Sequence, residues 1–142
     1  MTSKYRKLLL VDDDADDRMV FVEILQELDT ELILECAENG LEMLEILGRN
    51  PDAALPDIIV LDQNMPRMTG KESLIYLKAN SRYRHIPVIL YSTYQVRDFY
   101  LECLQLGADD VVTKPDTLDA YKGMIQRFLR VPLLAAASSG LG

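Results

Sequence analysis

The chain has 142 residues, of which 49% are hydrophobic and 27% are charged, a composition typical of one globular domain. No apolar stretch approaches the roughly 18 residues that a membrane-spanning helix needs, and the apolar run at residues 8–11 is too short for a secretory signal, so we expect a cytoplasmic protein. The net charge of −8 disfavours nucleic-acid binding, which generally requires a basic surface.

Outside its acidic groups, the sequence offers few residues for metal or covalent chemistry. Cys36 and Cys103 lie among apolar residues without nearby metal-ligand partners, so we expect both to be small buried side chains. His85 is the single histidine, which excludes chemistry that needs several imidazoles and favours a loop residue.

Short branched-apolar runs alternate with longer segments of helical period, a pattern typical of parallel strands joined by crossover helices. The five predicted strands are KLLLV at 7–11, ELILECA at 31–37, DIIVL at 57–61, PVILYS at 87–92 and DVVTK at 110–114. Four of them are nearly continuous in apolar residues, as strands are when helices cover both faces of a sheet.

Apolar residues recur at helical spacing after each predicted strand. The five stripes are Phe21, Ile24, Leu25 and Leu28; Leu41, Leu44 and Leu47; Leu74 and Leu77; Val96, Phe99, Tyr100 and Cys103; and Leu118, Tyr121, Ile125 and Phe128. Gly48 and Gly107 are expected to end the second and fourth helices, because glycine readily takes the left-handed conformation that closes a helix.

These five units predict an α/β domain over residues 1–130, a (βα)5 doubly wound fold of the flavodoxin-like type. Its five-stranded parallel sheet is expected in the order 2-1-3-4-5, with helices on both faces. Residues 131–142 are predicted to form a flexible C-terminal tail, because a proline follows the fifth helix. A linker stub is the alternative, since small residues, serine and glycine are also typical of linkers.

Polar residues collect at the carboxyl ends of four predicted strands. Asp12 and Asp13 follow strand one, Asp62 follows strand three, and strands four and five end at Ser92 and Lys114. Ligands of open parallel sheets bind beyond these strand ends where the strand order reverses, which here is between strands one and three. We therefore expect the five residues to form one site.

Three carboxylates at such a site need a compensating charge, because at about 5 Å they repel by on the order of 3 kcal/mol per pair. Oxygen ligands favour Mg²⁺ or Ca²⁺ over zinc, and open coordination beside a lysine favours Mg²⁺ with a phosphate-bearing substrate. Lys114 is then expected opposite the anion, to which the Ser92 hydroxyl can donate a hydrogen bond.

The chemistry that such a site favours is phosphoryl transfer, with Asp62 as the nucleophile that forms an acyl phosphate. Taken singly, each feature is more often structural: a solvated acidic turn, a loop at Lys114 and a turn serine. The functional interpretation depends on all of them lying at one edge of the sheet.

Five stretches stand in order along the chain: LLLVDDD, AENGLEML, LDQNMPRMTG, PVILYS and GADDVVTKP. Together they resemble the response-regulator receiver domain of two-component signalling, over residues 6 to about 130. By position, the resemblance implies that Asp62 is phosphorylated, with Ser92 and Lys114 contacting the phosphoryl group. It implies Mg²⁺ ligands at Asp12, Asp13, Asp62 and the backbone carbonyl of Asn64, and a cis peptide bond between Lys114 and Pro115.

The chain departs from the family pattern at three positions. Val111 stands where an aromatic residue is usual, Thr93 follows the hydroxyl residue where a small residue is usual, and Asp116 replaces a common phenylalanine. In the family, movement of that aromatic links the site to the face formed by helix four, strand five and helix five. We therefore expect the acceptor chemistry to be kept and the route to that face to differ.

We also predict the positions of two further residues near the site, Asp14 and Tyr94. Asp14 lies outside the acidic pair of the motif and is expected at the start of helix one, where a carboxylate interacts favourably with the helix dipole. By the same alignment Tyr94 would lie over the mouth of the site, where it either slows the entering water or has no kinetic role.

The predicted function is that of a signalling phosphoacceptor, not an enzyme with a separate substrate: it catalyses its own phosphorylation and dephosphorylation. The partners implied are a sensor histidine kinase or phosphotransfer protein as donor and an unidentified downstream protein, with no nucleic acid or membrane. Whether the domain forms a homodimer is left open.

The sequence disfavours three other functions. A haloacid dehalogenase-type hydrolase needs a second aspartate two positions after the nucleophile, where this chain has Asn64. A receiver-like binding module that no longer accepts phosphate is disfavoured by the intact polar set. A transcription factor would need a DNA-binding segment, for which the acidic chain leaves no room after helix five.

Overall fold

The structure is a computed structural model that describes residues 5–28, 31–93 and 96–141, with side chains as far as Leu129. Five parallel strands form one sheet in the order β2-β1-β3-β4-β5, which confirms the predicted topology. The strands are β1 Lys7–Val11, β2 Ile33–Ala37, β3 Ile58–Asp62, β4 Val88–Ser92 and β5 Asp110–Thr113. Helices follow them at α1 Ala15–Glu27, α2 Gly40–Arg49, α3 Gly70–Ala79, α4 Arg97–Gln105 and α5 Leu118–Leu141, and a short 3₁₀ turn lies at Asp52–Ala54.

The starts of α1, α2 and α3 are each capped by a residue with a side-chain oxygen. Asp14 caps α1 by accepting a hydrogen bond from the backbone of Asp16, as predicted, and Asn39 caps α2 in a similar way. Thr69 and Glu72 form a reciprocal capping box at α3, which fixes the point where the loop after β3 turns into the helix.

The alternating side chains of the central strands fill two apolar layers, one on each face of the sheet. One layer joins Leu9, Val11, Ile59, Leu61 and Leu90 to Met43, Leu47, Leu74, Leu77 and Cys103 of α2, α3 and α4. The other joins Leu8, Leu10, Ile58, Val60 and Ile89 to Phe21, Ile24, Ile125 and Phe128 of α1 and α5. Because both faces are covered, the carboxyl edge of the sheet is where polar groups can collect.

Two predictions about local structure are wrong. Gly48 does not end α2, which continues to Arg49 and stops because Asn50 takes an extended conformation before Pro51. Cys36 is only half-buried because β2 lies at the sheet edge, whereas Cys103 is buried as expected. Gly107 does close α4, with a φ of 110° that glycine adopts without strain.

The last helix extends beyond the predicted domain boundary at residue 130. The backbone of α5 continues to Leu141, through most of the predicted tail, and the flexibility of that segment stays a prediction. Among the described residues, no helix combines the length and the apolar character that crossing a membrane would require.

Candidate functional site

The predicted acidic residues meet at the carboxyl edge of the sheet. Val11 pairs with Leu61, so Asp12 leaves β1 beside Asp62 at the end of β3. Carboxylate oxygens of Asp12, Asp13 and Asp62 all lie within 4.8 Å of one another. Asp12 and Asp62 are 0% and 1% exposed while Asp13 is open to solvent, so the cluster is buried on one side and accessible on the other.

Both oxygens of the Asp12 carboxylate accept hydrogen bonds. The backbone nitrogen of Asp14 donates to Oδ1 at 2.9 Å, and the hydroxyl of Tyr91 donates to Oδ2. The Tyr91 ring is fully buried in the layer under α1 and α5, where it packs edge-on against Phe21. Sequence analysis missed Tyr91, although the alternation of β4 places it on the sheet face opposite to Ser92.

Asp62 is held by the loop that follows it. The backbone nitrogen of Asn64 donates to Asp62 Oδ1 at 3.1 Å, and the Asn64 side-chain amide donates to Thr93 Oγ1 at 3.1 Å. Gly70, the first residue of α3, packs so closely that an added Cβ would lie 2.6 Å from the Asp62 carbonyl oxygen. The acceptor strand and α3 therefore fix each other in position.

Lys114 follows β5 and extends its ammonium group into the acidic cluster. Its Nζ donates a hydrogen bond to Asp17 Oδ2 at 2.8 Å and lies 3.5 Å from Asp62 Oδ2 and 3.7 Å from Asp12 Oδ2. The peptide bond to Pro115 is trans, so the cis bond implied by the resemblance is wrong for this structure. The lysine reaches the carboxylates without it.

Ser92 ends β4 next to the acceptor loop and is 3% exposed. It lines a shallow cavity of about 210 Å³ together with Gln63, Asn64, Val96 and Phe99. The hydroxyl-bearing residue thus borders open space beside the loop that holds Asp62.

The burial of the carboxylates changes their ionisation. Loss of solvation raises the pKa of Asp12 to about 7, although the hydrogen bonds from Tyr91 and Asp14 act to lower it. Loss of solvation also raises the pKa of Asp62. Burial disfavours the ammonium form of Lys114, but the hydrogen bond to Asp17 and the surrounding carboxylates raise its pKa overall. A site with this excess of negative groups favours a bound cation.

The donor set fits a small divalent cation. All three clustered side chains offer carboxylate oxygens, which magnesium and calcium prefer over nitrogen or sulfur ligands. One of the three is exposed, so the site is open to water and to an incoming anion. Such an arrangement can neutralise charge on a phosphate group, with Lys114 as a second positive group.

Comparison with known proteins identifies the family. The model of the response regulator receiver domain matches residues 8–126, a stretch that holds the acidic cluster and Lys114. The chain belongs to this family. It is a receiver domain of the two-component response regulators, as its sequence motifs predicted.

The alignments with two curated relatives cover most of this receiver domain and most of each relative. The two-component response regulator ORR5 of Oryza sativa subsp. japonica is 34% identical over 123 residues, covering 87% of this chain and 88% of that protein. The chemotaxis protein CheY1 of Helicobacter pylori is 32% identical over 120 residues, covering 84% of this chain and 94% of that protein.

Solved structures show the same fold. The phosphorylated cyanobacterial phytochrome response regulator RcpA superposes with a TM-score of 0.79 at 25% identity, covering 89% of this chain and 92% of that one. The Mn²⁺-bound form of the response regulator Rcp1 gives a TM-score of 0.78 at 26% identity, covering 88% of this chain and 92% of that one. The predicted fold class is thereby confirmed.

Two of the positions that depart from the family pattern, Val111 and Thr93, lie near the site in this receiver domain. Val111 is 3% exposed and lies beneath a groove between α4 and α5 of about 1040 Å³, which Ala120 and Gly123 also line. Thr93 is exposed and accepts the Asn64 hydrogen bond. Tyr94 lies outside the described residues, so its expected place at the site mouth stays a prediction.

Sequence analysis also missed Asp17, which lies in the first turn of α1. Its carboxylate accepts hydrogen bonds from Lys114 and from the hydroxyl of Tyr121 in α5. The signal available in the sequence was the run of acidic residues at 12–17, but a charge run by itself does not tell which carboxylate faces inward.

Proposed function

We propose that this receiver domain accepts a phosphoryl group on Asp62 in a Mg²⁺-dependent reaction and passes the signal to a protein partner. The observation that carries the proposal is the grouping of three carboxylates within 4.8 Å, with the Lys114 ammonium 3.5 Å from Asp62. A cluster of this kind costs free energy unless a cation balances it.

Asp62 is the proposed nucleophile. A carboxylate oxygen of Asp62 attacks phosphorus, a P–O bond forms, and the P–N bond to the donor histidine breaks with its electron pair returning to the imidazole. The product is an acyl phosphate, which water later hydrolyses to release inorganic phosphate and restore the carboxylate. The chain in this way catalyses its own phosphorylation and dephosphorylation and needs no separate substrate site.

Asp12, Asp13, Asp62 and the backbone carbonyl of Asn64 are the proposed ligands of the metal. When bound, Mg²⁺ supplies positive charge that offsets the carboxylates and the phosphoryl oxygens. The presence of Mn²⁺ in the related structure of Rcp1 supports a divalent cation here. Lys114 is proposed to pair with a phosphoryl oxygen, and the Ser92 hydroxyl to donate a hydrogen bond to another.

The proposed donor is a sensor histidine kinase or a phosphotransfer protein, because this chain belongs to the response regulators. Because Asp13 is exposed, the acidic cluster is open to solvent on one side, and the donor imidazole can approach Asp62 from that side. The downstream partner is proposed to be a protein, and the net charge of −8 supports a partner other than nucleic acid. A cytoplasmic location is part of the same proposal.

Mass spectrometry of the intact protein tests the acceptor role. After incubation with a small phosphodonor and Mg²⁺, we expect a gain of one phosphoryl group in the parent and in Asp16→Asn, a control at an exposed carboxylate near the site. We expect no gain in Asp62→Asn or when EDTA replaces Mg²⁺. Hydroxylamine should remove the group, because it cleaves acyl phosphates and leaves serine phosphates intact.

Two results would contradict the proposal. An equal gain in Asp62→Asn would remove Asp62 from its role. The absence of a gain with any donor would favour the alternative of a binding module that no longer accepts phosphate.

A further inference from the structure

A fourth carboxylate reaches the site from a helix rather than from a strand end. Asp17 lies in the first turn of α1, and its side chain is mostly buried beside Lys114. Its Oδ2 accepts from Lys114 Nζ at 2.8 Å, and its Oδ1 accepts from the Tyr121 hydroxyl at 3.1 Å. Asp17 is not part of the cluster of carboxylates that can share a metal ion.

The distances around Lys114 rank its carboxylate neighbours. Lys114 Nζ lies 2.8 Å from Oδ2 of Asp17, whereas Oδ2 of Asp62 is 3.5 Å away and Oδ2 of Asp12 is 3.7 Å away. Only the first is a normal charge-assisted hydrogen bond, since such bonds are about 2.7–2.9 Å long. The shortest contact of the ammonium group is therefore with Asp17 of α1, and its contacts with Asp62 and Asp12 are longer ion pairs.

We propose that Asp17 is a positioning residue that holds Lys114 and competes with the phosphoryl group on Asp62 for its ammonium. The inference rests on the proposed function, because it requires an anion at Asp62. When that anion is present, the Lys114 ammonium either contacts both the phosphoryl group and Asp17 or leaves Asp17. The bond to Asp17 thereby lowers the affinity of the site for a phosphoryl group.

The same contact connects the site to α5. Tyr121 lies on the buried side of α5 and shares the Asp17 carboxylate with Lys114, so a movement of Lys114 changes the hydrogen bonding of a residue in that helix. This route uses side chains of α1 and α5 and does not pass through position 111. It therefore offers a link to α5 in a chain that has Val111 instead of an aromatic residue.

Beryllofluoride, an anion that mimics the phosphoryl group on an aspartate, provides the test. Its dissociation constant at saturating Mg²⁺ is measured by fluorine NMR for the parent, Asp17→Asn and Asp16→Asn. Both variants remove one negative charge from the first turn of α1, but only Asp17 contacts Lys114. We expect about tenfold tighter binding in Asp17→Asn, the scale of one charge-assisted hydrogen bond, and a change of less than about twofold in Asp16→Asn.

A second variant gives an effect of opposite sign. Tyr121→Phe removes the hydroxyl that shares the Asp17 carboxylate, so Asp17 holds Lys114 more strongly and beryllofluoride binding should weaken by about twofold to threefold. The effect of Tyr121→Phe should disappear when Asp17 is already Asn, because the two residues act through one contact. Tyr121→Phe also serves if Asp17→Asn fails to fold. If Asp17 and Tyr121 only supported the local structure, Asp17→Asn would weaken beryllofluoride binding as Tyr121→Phe does.

Each outcome decides between the hypotheses. If the parent binds no beryllofluoride, the proposed function fails, and this inference fails with it. If the parent binds but Asp17→Asn and Asp16→Asn change equally, the acceptor function stands and the role of Asp17 is wrong. Weaker binding in Asp17→Asn would likewise overturn the inference, since Asp17 would then be presenting Lys114 to the anion.

Discussion

The hydroxyl of Tyr91 donates a hydrogen bond to the Asp12 carboxylate, although the two residues come from strands that are not neighbours. Tyr91 lies in β4 and Asp12 follows β1, with β3 between them. The side chain thus passes across the strand that carries Asp62. The Lys114 ammonium lies 4.8 Å from the centre of the same ring, so Tyr91 forms the buried wall of the acidic site.

Removal of the Tyr91 hydroxyl should destabilise the metal-free protein. In Tyr91→Phe, the buried Asp12 carboxylate loses a donor, and we expect the free energy of unfolding in EDTA to fall by about 1–3 kcal/mol. Urea unfolding measures the change. Tyr76→Phe is the control, because Tyr76 is 39% exposed and its hydroxyl can bond to water. Equal losses in the two variants would show that the Asp12 contact contributes nothing.

The pH dependence of stability follows from the raised pKa of Asp12. That pKa is about 7 in the folded protein against an ordinary value of 3.8, so between these values the folded state keeps a proton that the unfolded chain has released. Stability without metal should therefore fall as the pH rises from about 4 to about 7. Asp62 acts in the same direction, since its pKa is also raised.

Urea unfolding in EDTA across this pH range checks the prediction. We expect Asp12→Asn to flatten the profile, because the amide does not titrate. A parent whose stability rises steadily over the same interval would contradict the assignment of a raised pKa to Asp12.

Metal affinity should depend on Asp13 more than on Asp16, an exposed carboxylate outside the acidic cluster. Asp13→Asn removes a charged oxygen from the cluster, and we expect the dissociation constant for Mg²⁺ to rise on the order of tenfold. Asp16→Asn, which changes the charge by the same amount nearby, should alter it less than about twofold. Calorimetric titration at pH 8, where Asp12 is ionised, provides the measurement. Equal effects would indicate a diffuse electrostatic attraction and no site.

Close packing at Gly70 should make it intolerant of a side chain. In Gly70→Ala, the new Cβ would lie 2.6 Å from the Asp62 carbonyl oxygen and 2.9 Å from Gln63 Cα, so backbone must move. We expect a loss of about 1–3 kcal/mol in the free energy of unfolding, together with slower phosphorylation of Asp62.

Gly48→Ala is the matched control, because Gly48 lies within α2 and an added Cβ there meets nothing within 4 Å. This variant should gain about 0.5–1 kcal/mol, since alanine favours helix more than glycine does. A loss of stability in both variants would mean that the packing at Gly70 is not the cause.

The amino-acid sequence by itself determined the fold and most of the site. Apolar runs of strand length between helical stripes require a parallel sheet, and the carboxyl ends of its strands meet at one edge. Residues directly after those strands, such as Asp12, Asp62 and Lys114, are therefore placed by chain connectivity alone. The cap at Asp14 was also predictable, because a helix start depends on its nearest neighbours in sequence.

Only the tertiary structure decided the contacts of Tyr91, Asp17 and Lys114. The bond from Tyr91 to Asp12 crosses two strand spacings, roughly 10 Å, and depends on side-chain length and sheet twist that no local pattern records. The choice of Asp17 among five neighbouring aspartates depends on the direction in which α1 leaves the sheet. Strand-end positions follow from the order of the chain, whereas partners between elements follow from how those elements pack.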